Sequence, residues 1–111
     1  MEIAESTVAD VLVLEPVGAI DSTTANLFAT KVTDIAKARD RNFIIDLDKI
    51  KYVSSAGVRA LIMVAQAAER MQRKMVLCGL NSEVDRLFAI SKMSELFVIC
   101  ASREEAAGLA K

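Results

Sequence analysis

Residues 42–61 read Asn42-Phe43-Ile44-Ile45-Asp46-Leu47-Asp48-Lys49-Ile50-Lys51-Tyr52-Val53-Ser54-Ser55-Ala56-Gly57-Val58-Arg59-Ala60-Leu61, and this stretch decides the class of the fold. Asn42–Leu47 is a short apolar run rich in branched and aromatic side chains, the pattern of a strand covered on both faces. After a short loop, Ser54-Ser55-Ala56-Gly57 leads into Val58, Leu61, Ile62, Ala65 and Ala68. Their three- and four-residue spacing predicts a long helix running to about Gln72. A buried strand feeding an apolar-striped helix is half of a β-α-β unit, which calls for parallel neighbours.

The rest of the chain continues the alternation. Val8–Pro16 predicts a strand, apolar throughout at Val11-Leu12-Val13-Leu14, and Glu2–Ser6 before it has the length of an antiparallel edge strand. Asp21-Ser22-Thr23-Thr24 opens a helix with its apolar stripe at Ala25, Phe28, Val32 and Ile35. Met75–Gly79 predicts a third buried strand, Ser82–Ile90 a helix with Val84, Leu87 and Phe88 inward, and Leu96–Cys100 a further strand. Ser102 caps a last helix whose first turn holds Glu104 and Glu105, where the helix dipole favours acids. The expectation is one α/β domain spanning residues 1–111, with a small, mostly parallel sheet of four to five strands backed by about four helices.

Composition removes most function classes. The 111 residues carry 14 Lys+Arg against 15 Asp+Glu, a net charge of −1 that suits neither nucleic acid nor an anionic membrane as main partner. There is no His, so Ser-His-Asp, Cys-His and imidazole–metal arrangements are excluded. No G-x-G-x-x-G or G-x-x-x-x-G-K-[ST] occurs, and no Trp and a single Tyr leave too few aromatics for base stacking. Cys78 and Cys100 each sit in an apolar run without C-x-x-C pairing, and predict two buried free thiols in a reducing compartment. The longest charge-free runs, Ser22–Thr30 and Ala60–Ala68, reach nine residues, far short of the roughly 20 a membrane span needs. The expectation is a cytoplasmic, non-enzymatic protein with no cofactor or metal, monomeric when free.

The chemistry that remains lies in Ser54-Ser55-Ala56-Gly57. Either Ser54 or Ser55 can serve as N-cap of the long helix, its hydroxyl satisfying an orphan backbone N–H. The same setting exposes a hydroxyl beside small residues, open to another protein's active site. A phosphate there adds about −1.5 to −2 charges and three acceptor oxygens. The helix N-terminus tolerates that charge internally, whereas an apolar or acidic partner surface does not.

These residues resemble the anti-sigma factor antagonists, single-domain members of the STAS fold. The resemblance runs through Gly18-Ala19-Ile20-Asp21, Ile45-Asp46-Leu47-Asp48 and Val53–Leu61, and closes on the Ser102–Ala106 helix. It implies a binding protein whose unphosphorylated form engages a serine kinase that doubles as an anti-sigma factor. A metal-dependent serine phosphatase reverses the modification. The phosphoacceptor, two residues before the glycine, matches Ser55, and Asp21 matches an acidic position near it that bears on kinase recognition. Asp21 fits helix N-cap duty equally well. Ser54 stands where some relatives carry Asp, which removes one acidic group and makes Ser54 a rival acceptor. Ala56 and Gly57 permit close approach, Gly57 doubling as a permissive helix start.

On the long helix, Arg59, Met63, Gln66, Arg70 and Arg73 share one outward stripe. It reads as a solvated face or, given an adaptable thioether at Met63 beside Arg59, as a surface for a partner that would also cover Ser55. The fold also allows a second role: a scaffold or ligand-carrying module of a transport system or signalling complex.

Overall fold

The computed structural model describes residues 1–111, and a single ten-residue strand organises it. The elements are β1 (Glu2–Val8), β2 (Val11–Ile20), α1 (Ala25–Arg39), β3 (Phe43–Asp46), β4 (Ile50–Val53), α2 (Ser55–Arg70), β5 (Met75–Cys78), α3 (Ser82–Ile90), a 3-10 turn (Met93–Leu96), β6 (Val98–Cys100) and α4 (Arg103–Leu109). The sheet runs β1-β2-β3-β5-β6, with β4 also paired to β2. Only β1–β2 is antiparallel, and its two-residue loop holds Ala9 and Asp10 at φ of 49° and 68°, the left-handed geometry such hairpins need.

The sheet has six strands because β2 outruns the strand expected to stop at Pro16. β2 pairs with β3 over Leu12–Leu14 and with β4 over Gly18–Ile20. Pro16 lies between those two stretches, so its missing N–H costs no parallel ladder bond. Gly18, at φ 114°, supplies the bulge that re-aims the last three residues toward β4. β4 itself, Ile-Lys-Tyr-Val, buries only its ends and exposes Lys51 and Tyr52, so it shows no two-residue period in sequence.

Both sheet faces are covered, which is why Val11–Leu14 is apolar at every position. Leu12, Leu14, Phe43, Ile45 and Leu77 face a large core with Phe28 and Val32 of α1, Leu61 and Val64 of α2, and Val84 and Phe88 of α3. Val11, Val13, Ile44, Val76 and Cys78 face the alanines of α4, Ala106, Ala107 and Ala110. Alanines bury little area, so α4 is held by polar links as well. Buried Asp46 accepts from Arg103 Nε at 2.5 Å, Arg103 Nη2 donates to Glu15 at 2.9 Å, and Asn42 Nδ2 donates to the Ala110 carbonyl at 2.7 Å.

Four expectations shift. Helix α2 ends at Arg70, because Gln72 adopts a left-handed φ of 58° and Met71 caps the last turn. Its buried face is centred on Val58, Leu61, Val64 and Ala68, with Ile62 and Ala65 only half-buried, since α1 packs from one side. Leu87 is exposed and Ile35 half-buried, each standing at the rim of its helix stripe. Cys100 is half-buried on the edge strand β6, while Cys78 is fully buried.

Burial, with the nearby Asp46 charge, pushes the Cys78 thiol up to about 12, and burial raises Cys100 as well. Alkylation of the folded protein at pH 8 should therefore label Cys100 slowly and leave Cys78 unmodified, both reacting once the chain is unfolded. Equal rates at the two thiols, read by peptide mass spectrometry, would mean that α4 leaves the sheet readily.

Candidate functional site

The site forms where two parallel strands end side by side. Ile20 of β2 pairs with Val53 of β4, so the chain leaves both strands at the same sheet end, toward α1 and α2 respectively. Carboxyl ends of parallel strands are where open α/β sheets present their binding residues. The Ser54 amide donates to the Ile20 carbonyl at 3.0 Å and ties the two exits together.

The two serines divide their work. Ser54 has extended backbone geometry and is the N-cap of α2, its Oγ accepting from the Gly57 amide at 3.2 Å. Ser55 is the first residue of the helix, is exposed, and its hydroxyl makes no hydrogen bond within the protein. Gly57 is buried, and a Cβ there would lie 2.1 Å from the Ile20 carbonyl oxygen and 2.8 Å from Val53 Cγ1. Its small size thus serves an internal contact, the seating of the first turn of α2 on the end of β2. Ala56 is half-buried against the main core.

Asp21 stands at the neighbouring exit, one residue beyond Ile20, and is not the N-cap residue of α1. That position is Thr24, whose side chain makes no capping bond. Instead Asp21 Oδ1 accepts from the Thr23 amide at 2.9 Å, the Thr23 hydroxyl at 2.7 Å and the Thr24 amide at 3.2 Å, locking the turn before the helix. Thr24 Oγ1 donates back to the Ala19 carbonyl at 2.7 Å. The Thr23 hydroxyl, and then the turn amides, hold the Asp21 carboxyl below the ordinary carboxylate range despite an opposing effect of burial. Asp21 is therefore a fixed negative charge at neutral pH, with Oδ2 free of any protein hydrogen bond.

Beyond these lies an exposed surface on α2 and β4. Arg59 is exposed and makes no ion pair or side-chain hydrogen bond, and Met63, one turn further, is 53% exposed. Gln66 and Arg70 continue the outward stripe, but Arg73 lies past the helix end and is bound to Asp40 at 2.9 Å. Tyr52, 55% exposed on β4, is a surface residue that sequence pattern did not single out, since its strand has no readable period. It borders an open groove of about 190 Å³ between β4 and α3, lined by Lys51, Val53, Glu83, Val84 and Leu87. No cluster of three or more His, Cys, Asp or Glu side chains is placed to hold a metal ion. A wider groove, about 510 Å³ beside Leu12 and Arg39, lies by the start of β2, away from Ser55.

This architecture defines a small α/β domain with a mostly parallel sheet, and comparison with known proteins places it. The STAS domain model matches residues 2–106, so the chain belongs to the STAS domain family. BtrV of Bordetella bronchiseptica, named as a candidate anti-sigma factor antagonist, is 32% identical over 94 residues, covering 85% of this chain and 81% of BtrV. The solved structure of the anti-sigma factor antagonist SpoIIAA in its unphosphorylated form superimposes with a TM-score of 0.74 at 17% identity, over 96% of this chain and 93% of SpoIIAA. The murine anion transporter Slc26a9 contains the same fold, with a TM-score of 0.80 and 16% identity over 95% of this chain and 18% of the transporter. No helix of the protein is long and apolar enough to cross a membrane.

Two substitutions test the geometry. Gly57→Ala should destabilise the fold by about 1–3 kcal/mol in urea unfolding, because the methyl meets backbone that cannot yield. Asp21→Asn should lower the melting temperature at pH 7. A carboxyl held below its unfolded value stabilises fully above that value, 3.8, and loses its contribution as pH falls through the lower folded value. The melting difference between wild type and Asp21→Asn should therefore shrink in scans below pH 3.8; a constant difference would assign the effect to packing.

Proposed function

We propose that this protein is an anti-sigma factor antagonist working as a phosphorylation-switched, non-enzymatic binding module in the cytoplasm. The observation that carries this reading is the division between Ser54 and Ser55: the cap belongs to Ser54, so the exposed Ser55 hydroxyl can be modified without removing a helix-stabilising bond. The family membership and the named relatives supply the partner class.

In this mechanism the unphosphorylated protein, a monomer, binds a serine kinase that is also an anti-sigma factor and displaces the kinase's other target. The partner covers the end of β2 and β4, touching Asp21, Ser54, Ala56, Arg59 and Met63 around Ser55. Within the complex the Ser55 Oγ attacks the γ-phosphorus of ATP, its proton passes to a base of the kinase, and ADP leaves. The phosphate brings about −1.5 to −2 charges to a surface already carrying the Asp21 carboxylate, and the partner is released by repulsion and desolvation. A metal-dependent serine phosphatase transfers the phosphoryl group to water and restores the hydroxyl.

Incubation with ATP and a lysate of source cells, followed by residue-resolved mass spectrometry, tests the reading. A phosphate is expected on Ser55, absent from Ser55→Ala and unchanged in Ser54→Ala. Kinase binding should survive Ser55→Ala and weaken in Ser55→Asp. The likeness to part of Slc26a9 favours one rival, a scaffold module of a transport assembly. Phosphorylation of a control substrate with none on this protein, together with co-purification in a stable complex, would favour that rival.

A further inference from the structure

Resting on the reading of Ser55 as phosphoacceptor, we infer that Arg59 is the internal clamp of the phosphorylated state: its guanidinium pairs with the Ser55 phosphate along one face of α2. Ser55 and Arg59 are four residues apart on the same helix, both exposed. Four residues rise about 6 Å along the axis and bring the Cβ atoms to about 5–6 Å, within reach of a long side chain. The anion stands N-terminal to the cation, the favourable order for such a pair, and phosphate with arginine forms the stronger, two-pronged kind of hydrogen bond.

The surroundings direct the phosphate that way. Arg59 makes no ion pair with any carboxylate of the protein, so its guanidinium is free to take up a phosphate one helical turn away. The Gly57 amide is already taken by Ser54, which removes one helix N-terminal donor from competition. At the adjoining strand exit stands the fixed charge of Asp21, so repulsion closes that side and leaves the direction along the helix. The switch then alters two groups with one modification. In the unmodified protein Arg59 is a free cation on the partner-facing surface. In the phosphoprotein it is drawn onto the phosphate and its charge is cancelled, so the surface loses an attractive group as it gains a repulsive one.

The clamp is tested without a kinase by incorporating phosphoserine at position 55 during translation and following the phosphate by 31P NMR titration. In wild type the second phosphate ionisation should fall about 0.2–0.4 pH unit below that of Arg59→Gln, with Arg59→Lys between. The separation should narrow in 1 M salt, where screening acts over about 3 Å. Because Arg59 is exposed, both variants should keep the wild-type circular dichroism. Coincident titrations of wild type and Arg59→Gln would overturn the clamp. Since the phosphate is installed directly, that result leaves the acceptor assignment untouched, and absence of Ser55 phosphate in cells would sink the switch without bearing on the titration.

Discussion

The bond from the Ser54 amide to the Ile20 carbonyl, 3.0 Å long, is small in itself, yet it marks the constraint on which the site depends. Two strands, β2 and β4, must end in register so that two helices begin side by side. The close approach of α2 to β2 is possible only because Gly57 has no side chain at a point 2.1 Å from that same carbonyl oxygen. The Ile20 oxygen therefore organises both the cap residue and the first turn of the helix. Ser55, next to the cap, is turned outward as a consequence of this seating.

The opposite face of the sheet follows a different rule. On the α1–α2–α3 side, large aliphatic and aromatic side chains bury enough area to hold helices by packing alone. On the α4 side the helix itself contributes only alanines, packed on valines, Ile44 and Cys78 of the sheet, and it is steered by Arg103 between Asp46 and Glu15. Asp46 is buried, and its second oxygen accepts from the Asp48 amide at 3.0 Å, so the carboxylate is satisfied on both sides. Gly79, at φ 72°, brings the chain so close that a Cβ would lie 2.4 Å from Asp46 Oδ1. The polar device and the glycine form a unit, remote in sequence and adjacent in space.

A rigid scaffold suits the proposed role as a binding module. The strand ends are fixed by ladder bonds and the Asp21 turn by its own hydrogen bonds, so the surface offered to a partner is ordered beforehand. Preorganisation of this kind lowers the entropy cost of association. Under the proposed function it also lets a single charge change act on binding while the fold stays as it is, because the Ser55 hydroxyl takes no part in holding the helix.

Much of this was legible in the chain. The doubly apolar runs Val11–Leu14 and Phe43–Ile45, the helix stripes and the Ser102 cap all follow from local periodicity and capping chemistry, which depend on neighbours a few residues away. Other features escaped for equally physical reasons. β4 has no alternation because only its two ends are buried, and β2 passes through Pro16 because the proline falls opposite a gap between two partners. Sequence narrowed the cap of α2 to Ser54 or Ser55, and the backbone geometry of Ser54 chose between them. The sequence by itself determined an α/β domain with a serine pair at the start of its longest helix and an acidic residue at the opening of an earlier helix. Only the tertiary structure brought Asp21 and Ser55 to one sheet end and gave Gly57 its partner. Strand pairing between residues some 33 positions apart is a long-range event that no local pattern encodes.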